Sequence, residues 1–416
     1  MILYDNTMKR LIKKEITILI LFVVVFISIR SIHFSSHLNF STDQASFSMT
    51  ALELWRDKKI TLIGPAISYH YIGRDLYQGS TTYYFQLLFL LLGKFDPVAS
   101  SYFFMVFASL MIFPLYFGVK FLAGKRAAIF MIILYALLPF YIDYTRFFWN
   151  PNYQFVLFPI LVLFMGFYAR SKKPLFYFLI FATAGILLLF HYQFIFIIVG
   201  LVIYYLFKKF STKYFALSIG GILIGFSPLI IFEIRNHWYN LQTLILFVKN
   251  FKKTPSSLNP HYFLSISLAG MLIVLHVARK KINTWFLIAV TTILLVLDFF
   301  IYVPPPAHGF GMAKDWNYPS EKKVNGIIRQ ENLDHYNIAN LAYNTVSAVQ
   351  KYLLKKDGIS INFDDYYHNK FLFVVSAGEN FMTDPAYEIN TFVPSKRLKK
   401  WKINETYSLY LLERLP

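Results

Sequence analysis

Residues 153–190 read YQFVLFPILVLFMGFYARSKKPLFYFLIFATAGILLLF. Two apolar runs, 153–169 and 174–190, flank a short basic turn holding Arg170, Lys172 and Lys173. Each run approaches the roughly 20 apolar residues that a bilayer-crossing helix needs. Aromatic residues at the ends complete the crossing, and a basic turn is what such a hairpin carries on its cytoplasmic side. The rest of the chain repeats the pattern. Of its 416 residues, 56% are hydrophobic and 15% charged, whereas a soluble chain is about 45–50% apolar and about 25% charged.

Working outward, further apolar runs occupy residues 16–29, 98–122, 127–142, 192–207, 214–232, 261–278 and 284–303, making nine expected spans. Five basic clusters lie between them: Lys9/Arg10/Lys13/Lys14, Lys120/Lys125/Arg126, Arg170/Lys172/Lys173, Lys208/Lys209/Lys213 and Arg279/Lys280/Lys281. If the nine spans alternate, all five clusters fall on one side, which the positive-inside rule makes cytoplasmic. The N-terminus is then cytoplasmic and the residues after 303 are extracytoplasmic. The first run resembles a signal peptide, but Arg30-Ser31-Ile32-His33 offers no small-residue cleavage site, so an uncleaved span is expected. Residues 82–95 are apolar but would reverse the alternation. They are expected to lie in the outer interface, where Tyr83 and Tyr84 suit that depth. A second interface helix is expected around 241–248.

The net charge is +19, and residues 1–303 carry +17 of it. The excess therefore belongs to loops between spans, and the basic residues form no continuous face for nucleic acid. There is no cysteine, which excludes disulfides, thiolate nucleophiles and zinc–thiolate sites. After Pro304-Pro305-Pro306 the composition becomes that of a small soluble domain. Helical spacing is seen at 324–330 and 345–355, and strands are expected at 336–341 and 370–376. The expected architecture is thus mainly α. A polytopic membrane module of about nine transmembrane helices plus interface helices (1–303) precedes a small extracytoplasmic α/β domain (304–416).

Candidate chemistry gathers on the outer side. Charges near a bilayer are costly unless they face water or a partner. Asp43, in Ser41-Thr42-Asp43-Gln44, is a candidate general base for an acceptor hydroxyl; the same residues also read as a helix start. Glu233 would hold an acceptor or a metal and Arg235 a phosphate, or the two form an interfacial ion pair. Arg146, Asn150 and Asn152 would grip a sugar and a phosphate, or belong to an aromatic belt that turns at Pro151. Arg74 is a further phosphate candidate or a solvated loop charge. His191 would bond a head group or ligate a metal, or is an interfacial polar residue. Asp298 lies near the outer end of the last span and receives no role from the sequence.

The order of these features resembles that of GT-C superfamily membrane glycosyltransferases, specifically family-39-like bacterial proteins related to protein mannosyltransferases and the aminoarabinose transferase of lipid A. The residues that carry the resemblance begin with Asp43-Gln44-Ala45, Gly64-Pro65 and Gly79-Ser80-Thr81-Thr82-Tyr83-Tyr84. Gly124-Lys125-Arg126, Tyr144-Thr145-Arg146 and Trp149-Asn150-Pro151-Asn152 follow, then His191-Tyr192 and Phe232-Glu233-Ile234-Arg235. The resemblance covers residues 1–304. It implies transfer of a sugar from a polyprenyl-phosphate carrier to a glycan, lipid or protein acceptor at the outer face of the cytoplasmic membrane. It also implies that Asp43 is the catalytic acidic residue of the first outer loop, with Arg74, Arg146 and Arg235 as ligands of the carrier phosphate. Many relatives have Asp-Glu where this chain has Asp43-Gln44, which leaves a second carboxylate, and a divalent metal that used it, open. A transporter or flippase of lipid-linked sugars and a non-catalytic assembly subunit are the competing readings. Transporters often carry internal repeats, and none is apparent here.

Overall fold

The computed structural model describes residues 2–71, 73–208, 211–249, 259–359 and 365–416. Lys209 of the fourth basic cluster and part of the 233–260 loop lie outside the described residues. The chain divides into two compact units. The first comprises Met1–Ile32, Ile60–Leu88 and Ser101–Ile301; the second comprises His33–Lys59, Phe89–Ser100 and Tyr302–Pro416.

The first unit is helical, and a helix stands at every apolar run read from the sequence. Among the described residues four helices are long and apolar enough to cross a membrane: Pro97–Ala123, Asn150–Ser171, Pro260–Ala278 and Thr284–Tyr302. The pair Thr212–Gly225 and Ser227–Arg235 makes a fifth if taken as one broken span, bent by 72°. The sequence reading drew this pair as one continuous run, 214–232. Pro228, whose ring cannot continue a preceding helix, starts the second segment and marks the break. Shorter apolar helices are Thr81–Leu92, Pro174–Phe190 and Tyr192–Tyr205. The first helix, Ile2–Ser31, carries the N-terminal basic residues. Its Glu15 pairs with Lys120 at 2.7 Å and Lys125 at 3.4 Å, which links the first two basic clusters at one end of the bundle.

Close packing within this unit depends on small residues. Gly118 and Gly166 face each other across two helices, and a Cβ on Gly166 would stand 2.7 Å from the Gly118 carbonyl oxygen. Without a hydrophobic force between helices in lipid, such backbone approach supplies the dispersion energy of association. By contrast Phe286, Ile293, Phe299 and Phe300 of the Thr284–Tyr302 helix are exposed apolar groups of the kind that acyl chains cover.

A hairpin of β1 (Ile63–Tyr71) and β2 (Arg74–Gly79) lies in a stretch that the sequence reading treated as loop. Gly73 has φ +71°, the left-handed conformation that a tight hairpin turn requires, and it is the sequence signal for the hairpin.

The second unit is built on a four-stranded sheet in the order β3-β4-β6-β5. Strand β3 (Tyr336–Asn340) runs parallel to β4 (Phe371–Ser376), and β6 (Ser408–Arg414) runs antiparallel to both β4 and β5 (Ser395–Lys402). The central strands read as unbroken apolar runs because both faces are covered. Phe373, Val375, Leu409 and Leu411 join one core with Trp316, Val324 and Leu354; Leu372, Val374, Tyr410 and Leu412 join another with Phe381 and Phe392. Strands β3 and β5 are the edges, and β5 is the basic one. Its lysines deter pairing with another chain and meet glutamates instead, Lys396 to Glu413 at 3.0 Å and Lys399 to Glu331 at 2.6 Å. The polar sequence of β5 lacks the alternation by which strands are recognised, so it was not anticipated.

The same unit takes in the Thr42–Asp57 helix, whose Ala45, Ser48, Ala51 and Leu52 are buried. It packs on the Ala348–Lys356 helix. Phe40, just before it, is wholly buried between the rings of Tyr318 and Tyr352, at 5.9 and 5.5 Å.

Candidate active site

In the second unit, Asp43 is the second residue of the Thr42–Asp57 helix and is exposed. Ser41 is the cap, not Asp43. The Ser41 backbone N–H donates to Gln44 Oε1 at 3.2 Å, and its hydroxyl donates to the same atom at 2.9 Å. Gln44 is thus a buried partner of the helix cap. A neutral amide performs this reciprocal capping as well as a carboxylate does. The first turn of a helix, with its unpaired N–H groups, favours a negative charge at Asp43.

In the first unit, strand β2 gathers several of the expected site residues. Arg74, at its start, lays its guanidinium over the Tyr239 ring at 4.4 Å and donates to the Tyr239 carbonyl at 3.3 Å. Tyr239 begins the Tyr239–Lys249 helix. The N-terminus of that helix is held by Glu233, whose Oε1 and Oε2 accept the backbone N–H groups of Asn240 and Leu241 at 3.1 and 3.0 Å. Asn240 in turn is clamped to strand β2, accepting from the Tyr77 N–H at 3.0 Å and donating to its carbonyl at 3.1 Å. On the other side Asn150 donates to Gln78 Oε1 at 2.6 Å and to the Phe190 carbonyl at 3.3 Å. The Tyr192 hydroxyl donates to the Tyr77 carbonyl. His191 lies beside it in the turn between two helices and caps Tyr192–Phe194 by accepting the Gln193 N–H at 3.4 Å. Burial, with neighbouring His261, holds the His191 imidazole far below its usual value, at about 4, so it is neutral at pH 7.

Arg74, Glu233, Asn150 and His191 are therefore connected through one strand. Arg235 is exposed at the end of its helix, with no hydrogen bond or ion pair among the described residues. Asn152 is buried, donates to the Phe147 carbonyl at 2.9 Å, and has no partner for Oδ1 among the described residues. Arg146 is buried too and donates to the Ile29 carbonyl at 3.1 Å.

Three further polar features stand out, to none of which the sequence assigns a role. Arg30 is wholly buried. It donates to Thr145 Oγ1 at 2.6 Å and to the Ala136 carbonyl at 2.8 Å, with its guanidinium 3.4 Å from the Phe26 ring centre. Asp298 is buried with no hydrogen bond to either oxygen among the described residues, and it feels the charges of Arg30 and Arg146. Gln154 and Gln193 form a polar link between helices, Gln193 Nε2 to Gln154 Oε1 at 3.1 Å, with Gln154 donating to the His191 carbonyl at 2.8 Å. A glutamine within an apolar run is the signal that marks them, since in lipid it must find a partner.

Both Glu233 oxygens face the N–H groups of a helix. Among the described residues no three His, Asp or Glu side chains converge as ligands.

Residues 80–232 match the family described as dolichyl-phosphate-mannose-protein mannosyltransferase. The fold is similar to that of ArnT from Cupriavidus metallidurans. Against its apo crystal structure the TM-score is 0.60 at 10% identity, covering 97% of this chain and 98% of that one. Against the same protein bound to undecaprenyl phosphate it is 0.57 at 11% identity, covering 95% and 98%. No curated protein matches this chain in sequence. The resemblance read from the sequence thus has a family-model match over residues 80–232 and a similar fold over nearly the whole chain.

Proposed function

We propose that this chain is a glycosyltransferase of the cytoplasmic membrane that moves a sugar from a polyprenyl-phosphate carrier to an acceptor hydroxyl on the extracytoplasmic side. Asp43 takes the hydroxyl proton while the acceptor oxygen bonds to the anomeric carbon. The bond from that carbon to the phosphate oxygen breaks, and the polyprenyl phosphate leaves as an anion. A single displacement of this kind inverts the sugar carbon. The base and the cationic stabilisation of the leaving group are what such a reaction needs.

Arg74, Arg146 and Arg235 are the proposed phosphate ligands. Arg235 is open to an arriving head group, whereas Arg74 would first leave the Tyr239 ring. Asn150, Asn152 and His191 are the proposed contacts of the sugar or acceptor, and the amide donors of the two asparagines are held by the protein. No step is routed through a metal.

The observation that carries this reading is the fold shared along 95% of the chain with a protein solved holding undecaprenyl phosphate. The test is incubation of the purified protein with undecaprenyl phosphates bearing different sugars, with the released carrier read by mass spectrometry. Release of carrier from at least one donor is expected. No release from any, or a product that retains the anomeric configuration, would overturn the activity or the mechanism respectively.

A further inference from the structure

The second unit contains both the Thr42–Asp57 helix, which carries Asp43 in its first turn, and the α/β sheet domain, and its bonds fasten one to the other at both ends. At the N-terminal end Asn344 Nδ2 donates to Thr42 Oγ1, one residue before Asp43. Asn344 is itself fixed by the Val346 N–H, which donates to its Oδ1 at 3.1 Å. At the other end Lys355 pairs with Glu53. Arg56 donates to the carbonyls of Lys355 and Lys356, both at 3.0 Å, so it caps the C-terminus of the Ala348–Lys356 helix. Between these points the contact surface offers small side chains, Ala45, Ser48 and Ala51, which let the two helices lie close. A rigid rod held at both ends cannot slide along its axis or turn about it, and either motion would carry the Asp43 carboxylate away.

We propose that the α/β domain positions the catalytic base, with Asn344 and Lys355 as positioning residues that act through Thr42 and Glu53. The inference rests on the reading of Asp43 as the base. The domain then is part of the catalytic apparatus even where it touches no substrate. A shift of about 1 Å in a reacting group costs up to 100-fold in rate, and a loosened rod samples such shifts for part of the time.

The variants are Thr42→Val and Lys355→Ala, which remove the fastenings, with Thr42→Ser and Lys355→Arg, which keep them. Turnover of whichever undecaprenyl-phosphate sugar the wild type accepts is expected to fall about tenfold in the first pair. The KM for that donor should stay within twofold, and the second pair should resemble wild type. Exchange of the charges, Lys355→Glu with Glu53→Lys, should restore turnover. A loss that is equal in Thr42→Ser and Thr42→Val, or that the charge exchange leaves unrepaired, would overturn the proposal.

A second measurement does not depend on activity. Because the chain has no cysteine, a single Asp43→Cys bearing a spin label reports on the first turn of its helix. Its spectrum should sharpen when Thr42→Val or Lys355→Ala is added and stay unchanged with Thr42→Ser or Lys355→Arg. An identical spectrum in all of them would sink the positioning role. Full turnover in Asp43→Asn would instead sink the assignment of the base.

Discussion

Asp43 and Glu233 are both carboxylates beside a helix N-terminus, one in each compact unit, and their surroundings divide them. Asp43 sits in the first turn of its own helix, exposed, with capping done by its neighbours Ser41 and Gln44. Glu233 is buried, and its two oxygens accept the first N–H groups of the next helix. The same attraction between a carboxylate and a helix N-terminus joins two segments of the chain at Glu233 and acts within one exposed helical turn at Asp43. Acid content near the membrane surface therefore does not separate the two carboxylates; burial does, since Asp43 is exposed and Glu233 is buried.

The largest effect that would break this comparison is in activity. Asp43→Asn should lower sugar transfer about 100-fold or more, as expected for loss of a general base, while the protein still folds in detergent. Retained transfer would put Asp43 on the structural side with Glu233.

A third carboxylate extends the contrast. Glu321 is completely buried in the unit that holds Asp43, and accepts from Trp316 Nε1 at 2.7 Å, from the Tyr343 hydroxyl at 2.6 Å and from Gln350. Burial outweighs these three donors and raises its pKa to about 7. The folded chain then binds a proton that the unfolded chain has already released. Stability from this group is present below the usual carboxylate pKa and is lost as pH rises through about 7. The span of the effect is on the order of 3 kcal/mol. Thermal unfolding of the wild type across pH 4.5–8 should show the decline, and Glu321→Gln should flatten it.

Glu233→Ala leaves two N–H groups of the Tyr239–Lys249 helix without their acceptor and should cost about 1–2 kcal/mol. Glu233→Gln, which keeps one acceptor oxygen, should cost less. If both variants melted like wild type and yet lost transfer, Glu233 would move to the chemical side of the comparison. The smallest effect is expected at Arg235. Arg235→Gln should leave melting unchanged, since nothing among the described residues depends on it, and raise the KM for the lipid-linked donor several-fold. A fall in melting temperature would show a structural bond.

Much of the first unit was legible because the bilayer imposes a local rule. An apolar run must become a helix whatever surrounds it, since lipid offers backbone groups no partner. Hence helices such as Pro174–Phe190 stand where the runs stood. Less was legible where local pattern and outcome part. The 72° bend before Pro228 was carried by a single proline in an apolar run. The β1–β2 hairpin hid in a mixed stretch marked by Gly73. In the candidate site, Asp43 and the arginines stood out as charges beside a membrane, but which of them were already partnered did not.

By itself the sequence determined the membrane class and the helical runs, because each depends on composition within a few tens of residues. Only the tertiary structure decided partnership. Arg30 meets the Ala136 carbonyl 106 positions away, and Asn344 meets Thr42 across 302. A polar group near a bilayer must find a partner, but its own neighbourhood does not say which one. That choice is made by the packing of distant segments, and it is what distinguishes an exposed Asp43 from a buried Glu233.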